Sequence, residues 1–182
     1  PKNWSYYIPV LQLKTVNSAV SVFLNGKNIY EYGQERYASR DYVGSGYHYV
    51  DLGDSAQGKS VKIVITPTEK MAFSSIDPVF VTDYTNVSRQ MLTQNRLPYM
   101  MGNFLLLFGI ALIGAGLAIS IISSQLLRVI WIGTLSVCIG VWTLSYYGLL
   151  QMYGIPLYDC TLFEYVAFYI SPIPVLLYFR EH

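Results

Sequence analysis

Leu97 to Leu127 runs 31 residues without a charged side chain, and Val129 to Tyr158 runs another 30. A hydrocarbon core about 30 Å thick is crossed by roughly 20 apolar residues in helical form. The spacing therefore predicts two transmembrane helices, at about 99–123 and 129–151. A third, at about 161–179, is rich in aromatic side chains and carries Glu164 near one end and Pro172 and Pro174 near the other. It is expected to be kinked, since membrane helices tolerate proline where neighbouring groups resatisfy the freed carbonyls. Composition divides at the same place: residues 1–96 hold 18 of the 23 charged side chains. The chain is thus expected to have two parts, and a net charge of +1 without a basic cluster offers no footprint for nucleic acid.

Arg128 lies between the first two spans and Arg180 follows the third, whereas Met152 to Cys160 has neither Lys nor Arg. The positive-inside rule then places residues 124–128 and 180–182 in the cytoplasm and residues 1–96 outside. Tyr146, Tyr147, Tyr153 and Tyr158 gather at the proposed outer face, with Tyr99 at the outer entry of the first helix, as in an interfacial aromatic belt. No charged segment followed by an apolar one opens the chain, so a removed leader or a longer product is expected, with further membrane helices beyond His182. Cys138 falls inside the second span and Cys160 beyond it, too far apart for the Cα separation of about 4.4 to 6.8 Å that a disulfide needs. Two histidines, His48 and His182, give no metal-ligand spacing, and no cofactor is implied.

The first part alternates apolar and polar residues at Val20, Val22 and Leu24 and again at Val61, Ile63 and Ile65. That is strand periodicity. Asn25-Gly26 supplies residue types that accept positive φ in a two-residue hairpin turn, and Ser55 to Lys59 forms a second polar turn. Further strands are expected at Ser5 to Leu13, Tyr47 to Leu52 and Val79 to Thr82, with no helix before Arg89. The expected division is an all-β sandwich over 1–84, a juxtamembrane linker over 85–98 and an α-helical membrane region over 99–182.

The succession WSYYIPV, VSVFLNGKNIYEYG, YHYVDLG, GKSVKIVITP and AFSSIDPVF resembles the galactose-binding-like jelly roll. Followed at once by apolar helices, it is similar to bacterial seven-transmembrane receptors with diverse intracellular signalling modules. The resemblance covers nearly the whole chain, although the opening strands of a jelly roll are not seen before Trp4 and the last helices not before His182. It implies an extracytoplasmic sensor in a bacterial cell membrane, lipids as partners and room for a homodimer. Its output module, a GGDEF diguanylate cyclase or a histidine kinase, would lie outside these residues.

The segment QERYASRDYVGSG, Gln34 to Gly46, reads as the longest irregular stretch, and Glu35, Arg36, Tyr37, Arg40, Asp41 and Tyr42 set charged groups beside aromatic faces. A sugar or small polar ligand needs that combination, and binding residues favour loops on a rigid scaffold. The plainer reading is a solvated sandwich loop. Trp4, Tyr6, Tyr30, Tyr32, Tyr47 and Tyr49 would form either a carbohydrate platform or core and cross-strand packing, the second being commoner for strand aromatics. His48 lacks companions for catalysis and reads as a surface or packing residue. Glu164 is the one acidic group expected inside a membrane helix, at a depth from which its carboxylate reaches water. Ala111, Gly114, Ala115 and Ala118 offer a small-residue face for close helix approach. An alternative to the receptor is a membrane-anchored carbohydrate-binding accessory to a glycan-active enzyme, but no catalytic carboxylate pair is evident. The polar junction TDYTNVSRQMLTQNR lacks Gly/Pro slack and is expected to be partly helical, so that a long Gly/Ser spacer near Asn86 would interrupt signalling.

Overall fold

The computed structural model describes residues 8–39, 41–54, 56–67, 75–120 and 127–180. The chain divides into two compact units, Pro1–Met91 and Leu92–His182.

The first unit is built on two antiparallel sheets. Strands β1 (Pro9–Val16), β4 (Ser45–Asp51), β6 (Ser75–Ile76) and β7 (Phe80–Asp83) form one; β1 is central, with β4 on one side and β6 and β7 on the other. Strands β2 (Ser18–Leu24), β3 (Lys27–Tyr32) and β5 (Val61–Pro67) form the second, in the order β3-β2-β5. Asn17 alone joins β1 to β2, and its φ of 43° turns the chain from one sheet into the other. Asparagine tolerates that left-handed conformation. At the β2–β3 hairpin Asn25 and Gly26 both take positive φ, 50° and 86°, the pattern of a type I′ turn. Leu11 and Leu13 of β1, Val50 of β4 and Val20 and Val22 of β2 meet with Leu52 in the apolar core between the sheets. Alternate residues of β1 and β2 thus meet in this core, as period-two geometry requires, while Val10 and Gln12 of β1 and Ala19 and Ser21 of β2 are buried as well.

One helix departs from the all-β expectation: Gln34–Ser39, expected to be irregular, is the short helix α1. The linker expected to be partly helical is so, since Tyr84–Gln94 is the helix α2, which starts before Arg89. Asp83 caps α2: its carboxylate accepts from the Thr85 amide (3.3 Å) and the Thr85 hydroxyl (2.7 Å). Asp is a preferred N-cap because it satisfies amides that lack a partner in the first turn. Val87 and Met91, one turn apart, are buried, and the helix is bonded to the first sheet where Tyr49 Oη donates to Met91 Sδ (3.3 Å) and Thr82 Oγ1 donates to Gln90 Oε1 (3.1 Å). The expected strand Ser5 to Leu13 is observed from Pro9, with Ser5 to Tyr7 outside the described residues.

The second unit is helical. Three segments, Arg96–Ile119, Arg128–Tyr146 and Leu157–Arg180, are long and apolar enough to cross a membrane. The first is α3 (Arg96–Ser120) and the second α4 (Leu127–Tyr146); the third comprises α5 (Leu157–Ile170) and α6 (Pro172–Arg180). Pro98 sits in the first turn of α3, where a missing N–H costs nothing, so the helix begins three residues earlier than expected. The α4 helix stops at Tyr146 and not near 151, because Gly148 turns left-handed (φ 68°) and leads into a 3-10 helix, Leu149–Tyr153. Glycine beyond the last turn is a common helix terminator.

Helices α3 and α4 run antiparallel in close contact through glycines seven residues apart: Gly102, Gly109 and Gly116 on one, Gly133 and Gly140 on the other. A Cβ at Gly109 would lie 2.6 Å from the Gly133 carbonyl oxygen, and one at Gly133 2.8 Å from that of Gly109. Ser136 Oγ donates across the same seam to the Leu105 carbonyl (2.9 Å). The small-residue face expected to mediate close approach is a different one. Ala111, Gly114, Ala115 and Ala118 are exposed, and a Cβ at Gly114 would meet nothing within 4 Å.

The third segment, expected to be kinked, is interrupted at Ser171, between α5 and α6. Pro172 has no amide to give the Phe168 carbonyl, and Ser171 Oγ donates to that oxygen instead (2.8 Å). The hydroxyl resatisfies the acceptor that proline orphans.

Candidate functional site

The β3–α1 junction carries the candidate site. Gly33 ends β3 with φ 78°, and a Cβ there would collide with Val43 Cγ1, so both conformation and space demand glycine. The chain then turns into α1, whose Tyr37 amide donates to the Gly33 carbonyl (2.9 Å), while Gln34 Nε2 donates to Ser21 Oγ (3.0 Å) and ties α1 to β2. Tyr32 Oη donates to the Val43 carbonyl (3.1 Å) and fixes the following loop beneath. The result is an open cavity of about 490 Å³ lined by Glu31, Tyr32, Gly33, Gln34, Glu35 and Arg36.

Of the expected set, Glu35 and Arg36 stand in this wall. Tyr37, Asp41 and Tyr42 are not among its described lining residues; Tyr42 Oη instead forms a hydrogen bond with Ser45 Oγ (3.2 Å), and the Asp41 amide donates to the Arg36 carbonyl (2.9 Å). Arg40 lies outside the described residues. Glu31, Tyr32 and Gln34 join the wall without having been singled out. The outward position of Glu31, alternating with Tyr30 and Tyr32 before a glycine, was the available signal.

The aromatic side chains do not share a platform. Tyr30 and Tyr32 both meet His48 edge-on, with ring centres 5.8 and 5.0 Å away, whereas Tyr47 and Tyr49 stack on each other at 6.2 Å on the outer face of the first sheet. Trp4 and Tyr6 lie outside the described residues. His48 is buried, and hydrogen bonds join its Nε2 to Thr15 Oγ1 (2.8 Å) and its Nδ1 to Tyr30 Oη (2.9 Å). It is a packing residue, not a surface one. Burial pushes its pKa down to about 4 and that of Tyr30 up to about 12, the latter with a contribution from Tyr32. Both are neutral at neutral pH, and their bond links the two sheets.

In the helical unit, Glu164 is half-buried two turns inside α5, deeper than expected, because the helix opens after Pro156 and not at Thr161. Proline before a helix carries no penalty for its missing amide. Tyr153 Oη donates to Asn103 Oδ1 (3.0 Å) and lies 3.5 Å from Tyr99 Oη, so the start of α3 and the 3-10 helix share a polar cluster. Cys138 and Cys160 are both free thiols. Among the described residues, no group of three or more His, Cys, Asp or Glu side chains is placed to hold a metal ion. Compared with protein-family models, curated proteins and solved structures, the chain matches none.

Proposed function

We propose that this chain is the sensor and membrane part of a bacterial signal-transduction receptor. In this reading the first unit is a jelly-roll ectodomain outside the cell, and the cavity at the β3–α1 junction receives a sugar or a small polar ligand. The helices carry the signal to a cytoplasmic output module outside these residues, a diguanylate cyclase or a histidine kinase in the receptors the sequence resembles. The observation that carries the reading is one chain holding a polar cavity of about 490 Å³ in a two-sheet unit and three span-length apolar helices in the next. Carboxylates of Glu31 and Glu35 and the Arg36 guanidinium offer acceptors and donors for hydroxyl groups, and such convergent polar groups in a concavity are the usual form of a small-ligand site. The experiment is a thermal-shift screen of the detergent-solubilised chain against mono- and oligosaccharides. A stabilising sugar whose effect disappears in Glu31→Ala and Glu35→Ala supports the reading. A well-folded chain that none stabilises removes the sugar.

A further inference from the structure

A groove runs along the helical unit where the third segment is interrupted. It encloses about 180 Å³ and is lined by Cys138, Ile139 and Trp142 of α4, by Ala167 and Phe168 of α5, and by Ser171 after it. Cys138 and Trp142 stand one turn apart on one helix, as do Ala167 and Ser171 on the other, so two rows of i, i+4 neighbours border one space. The small side chains of Cys138 and Ala167 are buried and form its floor, whereas Ile139 and Phe168 rise beside it, 39% and 57% exposed. The groove is therefore open to whatever surrounds the helices. Ser171 donates its hydroxyl to the Phe168 carbonyl, which leaves the described lining with little to offer a polar ligand.

Position and size narrow the occupant. With a rise of about 1.5 Å per residue, Trp142 lies about 6 Å from the end of α4 at Tyr146, and Ser171 about 21 Å from the start of α5 at Leu157. Both ends belong to the same connection, so the groove follows the helix axes from near one face of a hydrocarbon core about 30 Å thick to past its middle. A phospholipid acyl chain lies in that direction and over that depth. A helix about 10 Å across fills about 400 Å³ in each turn, more than this space holds. Left empty in lipid, the groove would forfeit dispersion contacts along its floor. We infer that the groove between α4 and the α5–α6 break is a binding site for one acyl chain of a phospholipid. The inference rests on the membrane part of the proposed reading and not on its receptor part.

Tryptophan fluorescence tests it. One chain keeps only Trp142 (Trp4→Phe, Trp131→Phe) and another only Trp131 (Trp4→Phe, Trp142→Phe), and phosphatidylcholine brominated along one acyl chain is titrated into each in detergent. Trp142 is expected to be quenched saturably, at roughly a tenth of the lipid-to-detergent ratio that Trp131 needs, with recovery on adding the unbrominated lipid. Ala167→Phe, which fills the floor, is expected to bring Trp142 to the response of Trp131. Equal, unsaturable quenching at both positions overturns the site. So does a Trp142 that stays unquenched while Trp131 responds, the result of a side chain from a second copy or another helix already in the groove; neither outcome depends on whether Ala167→Phe folds. Bilayers made wholly of the brominated lipid separate the two failures: quenching of both tryptophans there upholds the membrane reading even where the groove fails, and quenching of neither overturns both.

Discussion

At His48 both ring nitrogens are engaged inside the sandwich, and its protonation is a stability question. The folded pKa, about 4, lies below the ordinary 6.5, so the unfolded chain binds the proton more readily in the window between them. Stability of the first unit is therefore full above about pH 6.5 and falls as pH drops towards 4, by up to roughly 3 kcal/mol. Urea denaturation followed by the near-ultraviolet dichroism of the buried tyrosines at pH 7.5 and 5 should show this loss, and His48→Gln should remove the dependence. Gly33 is a second single-residue constraint. Gly33→Ala should cost about 1–3 kcal/mol or more, through its positive φ and the collision with Val43, and melt at lower temperature. Neither role was visible in the sequence as more than a histidine among tyrosines and a glycine after a strand, because both depend on partners from other strands: Thr15 and Tyr30 for the one, Val43 for the other.

Among the elements, the α3–α4 pair depends on backbone contact at glycine, not on large side chains. Without a hydrophobic driving force between helices in lipid, close backbone approach and dispersion carry the association. Gly109→Leu or Gly133→Leu should separate the pair and lower the melting temperature of the detergent-solubilised chain, whereas Gly114→Leu, with open space around it, should not. Between α5 and α6, Ser171→Ala should leave the Phe168 carbonyl without its hydroxyl donor and destabilise the third segment by about 1 kcal/mol, read by the same melting measurement. Span lengths and strand alternation were legible because they are local periodicities. The short helix α1 and the early start of α2 were not. A six-residue helix has too little sequence to show a period, and α2 buries only Val87 and Met91, so its face emerges only against the sheet that it covers.

For the whole molecule, the proposed topology puts the first unit on the outer side of the membrane and Arg128 on the inner. Single cysteines at Lys27 and Arg128, in a chain whose Cys138 and Cys160 are replaced by serine, should be labelled in intact cells by an impermeant maleimide at the first site and spared at the second; the reverse pattern would invert the topology. By itself the sequence determined the division between a charged, strand-patterned part and an apolar helical one, the asparagine-glycine hairpin and the proline-marked break in the third segment. These follow from residue types acting within a few positions of themselves. Tertiary structure alone decided which small residues bring α3 and α4 together and that His48 bonds Thr15 and Tyr30 between the two sheets. Each of these is a meeting of segments distant in the chain, where packing space and hydrogen-bond partners are set by register and not by local pattern.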